Sequence, residues 1–195
     1  MVSETFSDRL QLWLGSKTPK TLLTLTETFS EKSFAVLFLL LMAIPALPLP
    51  TGGLTHIFEI IVMLLALELI AGRKSIWLPH RWLHHTIPPK LQSSALPSLI
   101  TLIRKVEKYT KPRLADTLSN SMFIRLAGLI VFIFTLFAFL APPFSGLDTL
   151  PALGVVLISL ALIFDDVLLS IAGLVVGLIG IGLVLTIGKL VFQLF

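Results

Sequence analysis

The strongest constraint on this chain is a run with no polar side chain from Phe34 to Ile44. It breaks at Pro45-Ala46-Leu47-Pro48-Leu49-Pro50-Thr51-Gly52-Gly53 and resumes as a second apolar run ending at Gly72-Arg73-Lys74. A soluble helix alternates polar and apolar faces, so a segment apolar on every face needs apolar surroundings all round, and lipid supplies them. Proline lacks an amide hydrogen and clashes with the preceding turn. Pro45, Pro48 and Pro50, followed by Gly52 and Gly53, therefore end the first helix in a knee. Thr55 is placed to cap the helix that follows.

The same order returns 94 positions later. Phe123 to Ala141 is predominantly apolar, Pro142-Pro143-Phe144-Ser145-Gly146 breaks it, and Leu150 to Phe164 resumes before Asp165-Asp166. Pro48 falls on Pro142, Gly52 on Gly146 and Thr55 on Thr149. The pattern predicts an all-α, polytopic membrane protein of about five hydrophobic helices. Two proline-broken hairpins stand in tandem repeat, followed by a C-terminal glycine-rich helix, with amphipathic interfacial helices beside them.

Composition agrees, since 55% of the 195 residues are hydrophobic, only 13% are charged, and mean hydropathy is +0.96. With no cysteine there is neither disulfide nor thiolate chemistry. The net charge of +4 is concentrated: Arg73 to Arg125 holds ten Lys or Arg against Glu107 and Asp116. That predicts a cytoplasmic loop over 73–121 in a multi-pass protein of a bacterial inner membrane. The expected units are interfacial helices over 1–32, a first hairpin over 33–72, the basic loop, a second hairpin over 122–166 and a last helix over 167–195. Met1 to Lys32 mixes acidic, basic and polar residues and does not read as a cleaved signal.

Within the N-terminal unit, Phe6, Leu10, Trp13 and Leu14 recur at helical spacing behind Ser3, and Thr18-Pro19 reads as the cap of a second short helix. Ser30 to Ile44 gives about 15 helical residues, roughly 22 Å against about 30 Å of hydrocarbon. Either this arm continues irregularly through the prolines, or the hairpin dips in and returns. Gly72 suits a left-handed cap, and the Trp77 and Trp82 region reads as a headgroup-level elbow. Leu96, Leu99, Ile100, Ile103 and Val106 form one stripe of an amphipathic helix, with Arg104 and Lys105 off it.

Glu59 and Glu68 are the candidate ion or substrate groups, because a carboxylate inside a membrane helix is costly to desolvate. Nine residues at about 100° each put them on opposite faces. Glu68 is either functional or snorkels to Arg73 or Lys74, and Glu59 lies close to the knee. Asp148, beside the second knee, is a third candidate. The knees themselves (Pro45, Pro48, Pro50, Gly52, Gly53, Pro142, Pro143 and Gly146) are either tight turns or broken-helix binding sites. Arg73, Lys74, Arg81, Arg104, Lys105 and Arg125 are candidates for contact with anionic lipid headgroups rather than nucleic acid. Asp165-Asp166 either pairs with the basic segment or opens the last helix. His80, His84 and His85 lack a neighbouring carboxylate or thiolate, so neither a metal nor a cofactor is expected. Gly173 and Gly177 have small-xxx-small spacing, whose partner is another helix of this chain or a second copy. No nucleophile elbow, P-loop, dinucleotide fingerprint or zincin helix occurs, which points away from an enzyme.

Taken together, several segments resemble the ExoD family of bacterial exopolysaccharide synthesis proteins. They are Leu25-Thr26-Glu27-Thr28-Phe29-Ser30-Glu31-Lys32-Ser33-Phe34 leading into the knee, Gly72-Arg73 with Trp77-Leu78-Pro79, Arg125 with Gly128-Leu129, and Pro142-Pro143-Phe144 with Pro151-Ala152-Leu153. The likeness covers nearly the whole chain. Two positions depart from the family pattern: Val167 follows Asp166 where glycine is usual, and Glu59 stands where small apolar residues are. The resemblance implies an inner-membrane protein supporting exopolysaccharide synthesis or export as a non-enzymatic accessory factor, with polysaccharide enzymes as partners. It supplies no catalytic residues. The alternative is a small transporter, an ion exchanger or a translocator of lipid-linked sugar, built on the two broken hairpins.

Overall fold

Thr5 sets the start of the first helix in the computed structural model, which describes residues 5–29, 32–47, 54–73, 76–77, 84, 86, 89, 92–93, 96–111, 120–142 and 145–193. The Thr5 hydroxyl accepts from the Asp8 amide, and α1 runs Phe6–Gly15 with Leu10 and Trp13 buried. At its other end the buried Lys20 ammonium donates to the carbonyls of Trp13 (2.6 Å) and Ser16 (2.8 Å). α2 is Leu22–Thr28, capped by Thr21 in a reciprocal arrangement with Thr24. Both caps therefore differ from the sequence expectation: Ser3 is outside the described residues, and Thr18 precedes the cap that the Thr21–Thr24 pair provides.

Among the described residues six further helices follow: α3 (Ser33–Met42), α4 (Leu54–Ile70), α5 (Leu96–Glu107), α6 (Ser121–Leu140), α7 (Thr149–Phe164) and α8 (Val167–Gln193). No β-strand occurs among the described residues. Of the helices, α6 and the Val167–Leu190 part of α8 are long and apolar enough to cross a membrane. α3 is shorter than expected, with 10 residues and a rise of about 15 Å. It stops at Met42 because Pro45 has no amide to continue the ladder and disfavours helical backbone at Ile44. Turns over 43–46 take over. Thr55 also sits one residue inside α4 rather than capping it, and Thr149 likewise begins α7 behind Asp148.

α3 packs against α4 and α7, α4 against α6, and α6 against α7, closing a ring of four helices, while α8 lies along α7 and touches α6. The two ends of this ring differ. At one, Lys32 at the start of α3 meets the end of α7, donating to Asp165 (2.8 Å) and to the carbonyl of Ile163 (2.6 Å). Phe6 of α1 packs edge-on against Phe164. At the same end, Gly72 closes α4 with φ +80, and the Arg73 amide bonds back to the Glu68 carbonyl. The Arg125 guanidinium lies so close that a Cβ on Gly72 would meet it at 2.5 Å. At the opposite end, His56 in the first turns of α4 packs on Phe139 near the end of α6, with 5.1 Å between ring centroids. The start of α4 is thus level with the end of α6, and both hairpins turn at one end of the bundle.

Packing settles three sequence expectations. Leu96, Leu99, Ile100 and Ile103 on α5 are buried, and α5 packs against α1, so its apolar stripe is covered by protein and is not left for a lipid surface. Asp165 is the left-handed C-cap of α7 and pairs with Lys32, while the Asp166 carboxylate accepts from the amides of Leu168 and Lys111 and so caps α8. The glycine seam of α8 faces helices of the same chain. A Cβ on Gly154 of α7 would lie 2.7 Å from the Cα of Gly177, and one on Gly173 would meet the Ile158 amide nitrogen at 2.9 Å. Of the two partners weighed for the Gly173/Gly177 motif, neighbouring helices of this chain lie against both glycines.

Candidate functional site

α3 and α7 bury residues on nearly every face, α4 and α6 each bury the face turned toward them, and one carboxylate lies within that apolar interior. Glu59 has no solvent-exposed surface. Its Oε2 is 2.8 Å from Nδ1 of His56, one turn earlier on α4, and the His56 side chain is 29% exposed. The other carboxylate oxygen, Oε1, has no hydrogen-bond partner among the described residues, and neither has the fully buried Thr135 hydroxyl on α6. An unpaired buried oxygen costs about 1–3 kcal/mol, so two in one bundle mark a place of chemical interest.

The antiparallel register of α4 and α6 brings these groups to one level. His56 packs on Phe139, and the Ala66 carbonyl and Ile70 lie 3.3 Å from a Cβ built on Gly128. Between those contacts, Thr135 falls opposite Glu59. Asp148, the residue before α7, makes no side-chain capping bond and lies within electrostatic reach of both His56 and Glu59. The sequence singled out Glu59 and Asp148 as separate candidates without a symmetric relation; the fold brings them together at the knee end. It missed His56 and Thr135. His56 stands three residues before Glu59, a spacing that shares a helix face, and Thr135 is a lone hydroxyl inside a long apolar helix.

The remaining candidates are structural in their contacts. Glu68 accepts from the backbone amide of Trp77 (2.8 Å) and lies within electrostatic reach of Arg73, whose guanidinium stacks over the Trp77 ring at 5.8 Å, while Lys74, the other expected partner, is outside the described residues. Arg104 donates to Asp8 and Gln11 of α1 and is held by protein, whereas Lys105 is exposed. Pro45 lies in the turn after α3, Pro142 follows α6, and Gly146 has φ +68 in the second knee. Pro48, Pro50, Gly52, Gly53, Pro143, Lys74, Arg81, His80 and His85 fall outside the described residues. Among the described residues no three His, Cys, Asp or Glu side chains gather as a metal site.

Comparison with known proteins adds a family and a process. The chain matches the family described as "Exopolysaccharide synthesis, ExoD" over residues 6–186. It is similar to the uncharacterized protein slr1875 of Synechocystis sp., with 28% identity over 145 residues, covering 74% of this chain and 68% of that one. It is likewise similar to Protein ExoD of Rhizobium meliloti, with 28% identity over 156 residues, covering 78% of this chain and 64% of that one. The match thus spans about two thirds of the length of each relative. No solved structure matches.

Proposed function

The chain belongs to the exopolysaccharide synthesis ExoD family, and from that premise we propose that it is a multi-pass inner-membrane protein supporting exopolysaccharide synthesis as a non-catalytic accessory factor. The observation that carries the membrane reading is the apolar rim. α6 and α8 have the length and hydropathy of spans, and the outward Leu126, Leu129, Ile171, Val175, Leu178 and Ile179 are exposed, where a soluble protein would place polar groups. α4 starts level with the end of α6, which supports two hairpins that both cross, the first completed by the irregular segment after α3. The surplus of Lys and Arg over 73–125 supports a cytoplasmic basic end, with exposed Arg73, Lys105 and Lys108 available to anionic headgroups or to polysaccharide enzymes.

Two experiments test this. Because the chain has no cysteine, Ser145→Cys at the knee end and Lys105→Cys on α5 report sidedness directly. The expected result is labelling of the first only from outside and of the second only from inside. Recovery of the chain in the soluble fraction defeats the membrane reading. Crosslinking in a polysaccharide-producing host, followed by purification, should recover a glycosyltransferase or export component. Recovery of none of these, with turnover of a lipid-linked sugar by the chain alone, defeats the accessory reading.

The full burial of Glu59 favours a second reading, a small exchanger. It requires flux of protons, a cation or a lipid-linked sugar in proteoliposomes, abolished by Glu59→Gln at unchanged folded yield. Absence of flux across such a panel removes it.

A further inference from the structure

We propose that Glu59 is a proton-binding site, loaded and emptied through His56 from the knee end of the bundle. The proposal rests on the membrane placement above but not on the polysaccharide role or on net transport. It starts from three features of geometry: a carboxylate with no exposed surface, one oxygen held at 2.8 Å by a partly exposed imidazole, and a second oxygen with no donor. An ionised carboxylate in such surroundings leaves an oxygen both charged and unpaired. A protonated one carries a single hydroxyl and no charge, which an apolar helix interface tolerates.

The neighbouring charges narrow the ligand to a proton. α4 packs against α3, which has no titratable residue, and α6, whose single charge, Arg125, lies at the other end beside Gly72. α7 contributes none along its length, and Asp148 at its start is itself an acid. Among the described residues His56 is thus the one group near Glu59 that can be cationic, and it is so only when protonated. No three His, Cys, Asp or Glu side chains among the described residues gather here as a metal site.

The transfer is simple and balanced. Protonated His56 gives its Nδ1 proton to Glu59 Oε2: the N–H bond breaks, an O–H bond forms, and the two opposite charges cancel. That leaves His56 neutral with its proton on Nε2; the imidazole is charged beforehand, when its neutral Nδ1–H form takes the Nε2 proton from hydronium at the knee, where its side chain retains exposure. Release runs the same steps backwards. Thr135, at about the same level on α6, is the other buried oxygen without a hydrogen-bond partner among the described residues.

Dicyclohexylcarbodiimide, which couples to protonated carboxyls in apolar sites, tests the proposal on the full unmodified chain in sealed vesicles. The adduct is located by proteolysis and mass spectrometry. The expected result is an adduct on Glu59 whose yield falls about tenfold for each pH unit above its midpoint. The yield should follow the pH on the side where Ser145→Cys is labelled, and His56→Gln should slow its response to a pH jump. An unmodified Glu59 at every pH, a yield indifferent to pH, or a yield set by the opposite compartment overturns the proposal. A chain recovered outside the membrane fails the placement instead, which the fractionation step reads separately.

Discussion

The backbones of Gly154 and Gly177 approach so closely that a Cβ on the first would lie 2.7 Å from the Cα of the second, with the Phe134 ring closing the third side of the contact. Three helices of one chain meet there. Gly177→Ala is expected to lower stability by about 1–3 kcal/mol through overpacking. Gly182→Ala, where a Cβ has open space, should be neutral or stabilise by up to about 1 kcal/mol through helix propensity. Thermal denaturation in one detergent compares them, and equal losses at both positions would argue against the intrachain seam.

Gly72 presents two separable penalties. Its φ of +80 disfavours a side chain, and a Cβ would push the Arg125 guanidinium away. Gly72→Ala should cost about 1–2 kcal/mol for backbone conformation alone, plus whatever displacing Arg125 adds. In an Arg125→Ala background only the first part should remain. A double-mutant cycle on denaturation midpoints measures the difference, and a vanishing coupling term contradicts the contact.

Glu107 ties α5 to the start of α1, accepting from the Phe6 amide at 2.8 Å and the Ser7 hydroxyl at 2.6 Å. Glu107→Ala takes the acceptor from a first-turn amide and leaves the buried Ser7 hydroxyl only its contact with the Thr5 hydroxyl (3.0 Å), at a cost of about 1–3 kcal/mol. Glu107→Gln keeps an acceptor and should lose less. Hydrogen exchange over α1 is the readout, which should quicken there and not in α6.

Asp8 gives the same region a pH dependence. The Thr5 hydroxyl, and beside it Arg104, hold its carboxyl below the ordinary value of 3.8, although slight burial opposes them. A depressed folded-state pKa means that this stabilisation is fully present above the unfolded value and is lost as pH falls through the folded one. Trp13 fluorescence, with Trp77 and Trp82 replaced by phenylalanine, should therefore report loosening of α1 only on strong acidification. Asp8→Asn should make the signal flatter, and an identical acid transition in that variant would exclude Asp8 as its source.

Much of the frame is legible in the order of residues, because an apolar run, a proline and a basic stretch act locally or through their solvent. The ends of α6, the left-handed cap at Gly72 and the amphipathic stripe of α5 all followed from such terms, although the protein cover over that stripe did not. Helix starts were less legible: Thr21 rather than Thr18 caps α2, since a reciprocal bond with Thr24 outweighs a proline in the first turn. The length of α3 also escaped, because Pro45 ends the ladder earlier than an apolar alphabet suggests.

What surrounds each helix was decided only by the tertiary structure. Apolarity states that α3 avoids water, but the protein around it, not its own composition, leaves Val36, Leu37, Phe38 and Leu39 without exposure. The sequence left the partner of Gly173 and Gly177 open, and the packing of α8 sets them against α7 and Phe134. Glu59 and Thr135 are 76 positions apart and Asp148 lies 13 further on, and no local rule relates them. Their placement at one level of the bundle depends on which face of α4 turns toward α6 and on both hairpins bending at one end, and these are properties of packing between distant segments.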